Sequence, residues 1–327
     1  MADARELGER LIRGDVRALA RACRIVDDRL PGYRELLSSV HAKSSGGWVV
    51  GVTGSGGVGK SSLVDCLITR FRADGERVGV VAIDPSSSIH GGALLGDRIR
   101  MQRHYRDPDV FIRSVATRGS VGGLSRSVAQ VTRLLCAWGA SVVLLETVGV
   151  GQDELDVAKL AHTTLVVVAP GLGDGVQAMK AGVLEIADLF AVNKADQPAA
   201  SRATSDLEVA LELRGASLGA SSDGWSIPVI KTSVTESTGL DELKSALLRH
   251  RAWLETAPGL ARTAARRREG LLKELEVELL AALDERLGPE LRSWAERIDR
   301  GEAEPGEALE ALLARWAPPS LSEPKSS

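Results

Sequence analysis

The sequence predicts a doubly wound α/β domain over residues 46–257, a mostly parallel sheet with helices on both faces, with helical extensions at both ends. Three observations predict it. Six short apolar runs alternate with longer amphipathic segments, the pattern of parallel strands buried on both sides by their crossover helices. The first run ends in a glycine-rich turn that opens a helix. Glycine is also concentrated: 22 of the 34 glycines lie between residues 46 and 182, whereas the 327-residue chain has only six Trp, two Tyr and three Phe.

Residues 1–45 read as a polar helical extension. Leu7, Leu11, Leu19, Ile25 and Val26 sit at helical spacing among Arg and Asp. Pro31-Gly32 breaks that pattern, a short helix comes next over 33–43, and Ser44-Ser45-Gly46-Gly47 reads as a hinge. The strands are placed at 48–53, 78–83, 142–145, 164–169, 189–192 and 228–231. Past Pro258-Gly259 a helical arm occupies 258–317. Leu272, Leu275, Leu279, Leu283 and Leu287 recur there every three or four residues, Gly288-Pro289 interrupts, Leu291, Trp294 and Ile298 resume, and a last helix covers 307–316. That apolar stripe needs a cover, either the α/β domain or another subunit. Residues 318–327 read as a disordered tail.

Composition excludes several roles. A net charge of -3 and scarce aromatics argue against a nucleic-acid groove. Hydrophobic content of 44% with 26% charged residues fits a globular chain. No 18-residue apolar run marks a membrane span, and charge throughout the first 30 residues argues against a secretory signal. Cys23, Cys66 and Cys136 are few and far apart, as in a cytoplasmic protein with reduced thiols.

The chemistry sits in three motifs. Gly54-Ser55-Gly56-Gly57-Val58-Gly59-Lys60-Ser61 matches the phosphate-binding P-loop, and Ser62 continues it. Its backbone N–H groups and the adjoining helix N-terminus favour phosphate oxygens, Lys60 is placed to reach the β- and γ-phosphates, and Ser61 to ligate Mg²⁺. Asn193-Lys194-Ala195-Asp196 stands at the end of a strand about 130 residues later. A carboxylate at Asp196 accepts from guanine N1–H and the exocyclic amine, a pair that adenine lacks. Thr232 and Ser233, after the last strand, offer a backbone cap to the guanine O6, and Val234 joins them on the guanine side. The run 142–145 ends in Glu146-Thr147-Val148-Gly149. There Glu146 is a metal-site acid, and Gly149 can donate its backbone N–H to the γ-phosphate until hydrolysis removes that group. Asp84 and Asp97 are further carboxylates for Mg²⁺ or water, or N-caps of the next segment. Gln152 either orients water or simply starts a helix. Arg98, Arg100, Arg103, Arg106, Arg113, Arg118 and Arg126 form either a partner or phosphate surface or a solvated face.

Residues 82–101 (AIDPSSSIHGGALLGDRIRM), 117–123 (TRGSVGG), 146–152 (ETVGVGQ), 170–180 (PGLGDGVQAMK) and 186–196 (IADLFAVNKAD) together closely resemble the MeaB/ArgK-like GTPases of the SIMIBI class. These are chaperones of adenosylcobalamin-dependent methylmalonyl-CoA mutase. The resemblance covers at least 46–240 and implies a P-loop NTPase fold with helical extensions. It implies a Mg²⁺-dependent GTPase, with GTP as substrate and GDP as product. It further implies a homodimer held largely by the C-terminal arm, and a methylmalonyl-CoA or related acyl-CoA mutase partner whose cobalamin loading is gated by nucleotide. It places Lys60, Asp97, Glu146 and Gly149 in catalysis and Ser61, Asp84, Asp97 and Glu146 at the metal. Asp174, Gln177 and Lys180 fall in a third switch. Two departures stand out: the P-loop lacks the Pro found in many relatives, and Gly175 occupies a switch position that is commonly acidic. Two other functions fit parts of the sequence. A metallochaperone GTPase needs a Cys/His cluster, but His41, His90, His104, His162 and His250 are scattered. A protein kinase for transport proteins needs an acceptor site, and no motif here supplies one.

Overall fold

The computed structural model describes residues 2–84, 101–116, 126–147, 153–171, 183–218 and 224–316. The chain divides into two compact units after Gly270. In the first, seven strands form one parallel sheet: β1 (Trp48–Thr53), β2 (Val78–Asp84), β3 (Val110–Ala116), β4 (Val142–Thr147), β5 (Thr163–Val168), β6 (Leu189–Val192) and β7 (Val229–Lys231). Their order is β3-β2-β4-β1-β5-β6-β7. β1 therefore lies at the centre, flanked by β4 and β5, and the carboxyl ends of all three open on one rim. That rim is where open parallel sheets bind ligands.

Alternation along the strands sends side chains to two faces. Val49, Val81, Val143 and Leu145 meet α1 (Ala2–Ile12), α2 (Val16–Asp27), α3 (Tyr33–Val40), α5 (Arg126–Ala137) and α6 (Asp153–Leu160). Val50, Val52, Val80 and Leu144 meet α4 (Lys60–Ala73) and α9 (Leu240–Trp253) on the other face. A third cluster joins α7 (Val183–Ile186) and α8 (Ala200–Leu218) to Val166, Phe190 and Val192. The N-terminal helices share their core with the sheet: Leu7, Leu11, Leu19 and Val26 are buried with Leu134 and Trp138. Asp15 caps α2 by accepting from the Arg17 and Ala18 amides. The Trp138 indole N–H donates to the Gly14 carbonyl at 3.1 Å, and the Arg77 guanidinium lies 4.7 Å over that ring.

Three features differ from the sequence expectation. β3 is a seventh strand that the apolar runs do not reveal. It is an edge strand, paired with β2 among the described residues; Arg113 and Ser114 interrupt its apolar residues, and Arg113 reaches Asp27 of α2 at 3.0 Å. Helix α10 (Ala257–Asp299) runs through Pro258-Gly259, because a proline in the first turn loses no intrahelical bond. It also runs through Gly288-Pro289, where the sequence pattern predicts an interruption. An internal proline costs about 3 kcal/mol, and good helix formers with a buried Leu287 on the preceding turn outweigh it here. The first compact unit ends at Gly270, within α10. The expected tail, 318–327, lies outside the described residues.

The second unit holds the rest of α10 and α11 (Pro305–Arg315). Arg315 pairs with Glu290 at 2.8 Å, and Arg286 lies 5.2 Å over the Trp316 ring. Leu272, Leu275, Leu279, Leu309 and Leu313 are exposed.

His162, between α6 and β5, is half-buried, and its Nδ1 accepts the Val49 N–H at 3.0 Å. Burial foremost, then Arg267 and Arg266, pushes it down to about 4 from 6.5. A lowered histidine pKa means that the unfolded chain binds the proton more tightly, so its contribution is complete above pH 6.5 and is lost as pH falls toward 4. Urea unfolding at about pH 7 and about pH 4.5 should show His162 accounting for a loss of about 2 to 3 kcal/mol. His162→Asn should remove that share of the pH dependence.

Candidate functional site

The loop after β1 turns through left-handed glycines into α4. Gly54 (φ 137°) tolerates no side chain: a Cβ there would lie 2.0 Å from the Val167 carbonyl oxygen of β5. Gly59 (φ 95°) is equally confined, its missing Cβ lying 2.4 Å from the Asn193 amide nitrogen. Ser55, Gly56 and Gly57 face solvent, whereas Val58, Lys60 and Ser61 are buried and Ser62 is exposed. The Lys60 ammonium folds back on its own loop and donates to the Gly54 carbonyl at 2.6 Å and the Ser55 carbonyl at 2.9 Å. A cation held at 6% exposure in the mouth of a glycine loop is well set to meet a polyphosphate.

Ser61 donates to Glu146 Oε1 at 2.5 Å. Glu146 lies near the end of β4, one residue before Thr147, whose hydroxyl meets that of Thr53 at 3.2 Å. A hydroxyl and a buried carboxylate touching beside a phosphate loop are an oxygen-only pair of the kind that hard divalent cations use. Asp84 closes β2 beside β4, with Ala82 opposite Glu146 and Ile83 opposite Thr147. Asp97, Gly149 and Gln152 lie outside the described residues, as do Asp174, Gln177 and Lys180. Among the described residues no three His, Cys, Asp or Glu side chains converge as a metal cluster. Of the arginine-rich stretch, Arg103 is engaged by Asp65 and Arg113 by Asp27.

The base loop locks onto the phosphate loop. The Asn193 amide donates to the Val58 carbonyl at 2.8 Å, and the Lys194 ammonium donates to the Gly57 carbonyl at 2.9 Å. Thr232, fully buried, donates to Asn193 Oδ1 at 3.3 Å and so fixes which way the amide faces. Lys194 adopts a left-handed backbone (φ 58°), which turns the chain so that Asp196 stands exposed at the rim. Ser233 donates to Asp196 Oδ1 at 2.6 Å. That bond foremost, then the backbone, Thr235 and Lys194, holds the Asp196 carboxyl below its usual range. Ser233 is itself fixed by a backbone bridge to Thr238. Val234 is half-buried beside it.

The structure brings Gly54–Ser62, Glu146, Asn193–Asp196 and Thr232–Val234 to one rim. It adds a role that the motifs do not show. The Ser233 side chain orients the acid, whereas the sequence suggests only a backbone cap. A Ser one strand-end away from an Asp is a weak signal until the β6–β7 pairing is known.

The family model described as methylmalonyl-CoA mutase-associated GTPase MeaB matches residues 19–286. A Pyrococcus abyssi protein provisionally assigned as a GTPase is 42% identical over 316 residues, spanning 94% of this chain and 95% of its own. The methylmalonic aciduria type A homolog of Caenorhabditis elegans, mitochondrial by name, is 30% identical, over 95% of this chain and 82% of its own. A crystal structure of an LAO/AO transport system kinase matches with TM-score 0.69 at 24% identity, covering 96% of this chain and 98% of that one. At that identity the likeness speaks for the fold. No described helix is long and apolar enough to cross a membrane.

Ser233→Ala leaves the Asp196 carboxylate without its main donor. Calorimetry should show GTP and GDP bound about 10-fold more weakly, with the circular dichroism spectrum unchanged.

Proposed function

We propose that this chain, which belongs to the family of methylmalonyl-CoA mutase-associated GTPases MeaB, couples GTP hydrolysis to cobalamin loading and protection of an acyl-CoA mutase. The observation that carries the nucleotide half is the Asn193–Val58 bond. It sets the acid at Asp196 at a fixed distance from the phosphate loop, as one guanine nucleotide lying across the rim requires. The mutase half is supported by the family membership and by the likeness to the C. elegans homolog.

In this reading the Lys60 ammonium leaves its two carbonyls for the β- and γ-phosphates, and the loop amides from Gly54 to Ser62 cradle the polyphosphate. Ser61 and Glu146 would hold Mg²⁺, with Asp84 and Asp97 as further carboxylates. The ion would neutralise charge on the β- and γ-oxygens. Gly149 meets the γ-phosphate before hydrolysis, and the segment with Asp174, Gln177 and Lys180 carries the change to the partner. Asn193, Lys194, Asp196, Thr232, Ser233 and Val234 select guanine. The exposed leucines of the second unit support a homodimer formed through the arm, and the three widely spaced cysteines support a cytoplasmic location.

Lys60→Ala should abolish tight GTP binding in calorimetry; unchanged affinity would sink the phosphate-loop assignment. A purified adenosylcobalamin-dependent acyl-CoA mutase should raise the GTP turnover of this protein at least about 10-fold, through groups that complete stabilisation of the transferring phosphoryl. The effect of its GTP form on cobalamin loading should differ from that of its GDP form. No stimulation by such mutases would contradict the chaperone role. Leu272→Glu with Leu279→Glu should give monomers in sedimentation, because the paired charges would be buried in an apolar interface; persistent dimers would place the interface elsewhere.

A further inference from the structure

We propose that Arg266 is the joint through which the nucleotide site and the root of helix α10 sense one another. This rests on the guanine-nucleotide reading above and adds a regulatory connection to it.

The guanidinium of Arg266 holds two segments at once. Its Nη1 donates to the His162 carbonyl at 3.0 Å and to Asp188 Oδ2 at 2.7 Å, and its Nη2 donates to Asp188 Oδ1 at 3.0 Å. His162 lies just past the end of α6, and Asp188 just past the end of α7. α6 begins directly after 148–152, the stretch with Gly149 and Gln152. α7 begins directly after 172–182, the stretch with Asp174, Gln177 and Lys180. Each segment that the sequence singles out as nucleotide-responsive therefore leads into one short helix, and both helices end on the same side chain. α6 and α7 also pack on each other.

The joint is built to transmit displacement. Asp188 is fully buried, and its carboxylate is further held by Arg262 at 2.7 Å and by the Thr164 N–H at 2.8 Å. The Trp225 indole N–H donates to its backbone carbonyl at 2.9 Å. A buried carboxylate gripped bidentately by a planar fork has few intermediate positions, because two parallel bonds fix both the distance and the plane of approach. Arg266 must follow the carboxylate or lose it. Helices of eight and four residues are stiff spacers of about 12 and 6 Å. Four residues beyond Arg266, Gly270 brings α10 against the end of α6 a second time: a Cβ there would lie 3.2 Å from the Lys159 carbonyl. Coupling of this kind is reciprocal, so whatever moves the root of α10 also changes the relative affinities for GTP and GDP.

The test is hydrogen–deuterium exchange of the full chain with GDP and with a non-hydrolysable GTP analogue, occupancy being checked by calorimetry. In the wild type, amide exchange across 257–270 should differ at least about threefold between the two nucleotides, a change in local opening that such exchange resolves. Arg266→Lys keeps a charge but loses the two-pronged, planar grip on Asp188. It should retain the fold and GDP binding and lose that difference. Equal exchange in the wild type with both nucleotides bound would overturn the proposal, and so would a full difference surviving in folded Arg266→Lys. If neither nucleotide binds, the guanine-nucleotide reading fails instead. Should Arg266→Lys not fold, Gly270→Ala presses the same joint without removing a charge. It should change the size of the difference, and an unaltered difference would overturn the proposal.

Discussion

The hydrogen bond from the Asn193 amide to the Val58 carbonyl is the constraint on which the site depends. It joins a loop from β1 to a loop from β6, with β5 between them. Nothing local sets their spacing; the sheet register does. The confinement of Gly54 against Val167 fixes the phosphate loop to β5 from the other side, and Gly59 leaves space for the Asn193 amide itself. Thr232 orients that amide from the end of β7. Four neighbouring strands thus determine where the two ends of a nucleotide can lie.

The opposite edge of the sheet is constructed differently. At the amino ends of β1, β5 and β6, Trp48 donates to Thr163, which is hydrogen-bonded to His250, and the His250 ring packs against Trp225 and Trp253. Asp188 and its arginines lie in the same region. Three of the six tryptophans, Trp48, Trp225 and Trp253, gather here. Stability is anchored away from the rim, and the loops that must approach phosphate stay free of bulky packing.

Much of this was legible in the sequence because the signals were contiguous. The P-loop and Asn193-Lys194-Ala195-Asp196 are consecutive residues with a fixed chemical purpose, and the strands at 48–53 and 189–192 are unbroken apolar runs. The hidden features depend on distant pairings. Arg113 and Ser114 break the apolar run of β3, and Arg113 looks like a surface charge until Asp27 is beside it. Pro289 reads as a helix breaker because local propensity carries no information about the turns around it. Ser233 and Asp196 are 37 residues apart, and Arg266 and Asp188 are 78 apart. Neither pair has a spacing rule, since both depend on the crossover order of the sheet.

Guanine selection by one rim is the central claim, and calorimetry of the unmodified protein with Mg²⁺ tests it most directly. GTP and GDP should bind, each at one site per chain, and ATP should bind at least about 100-fold more weakly, because adenine leaves the Asp196 carboxylate without its two donors. Comparable affinity for ATP and GTP would contradict it.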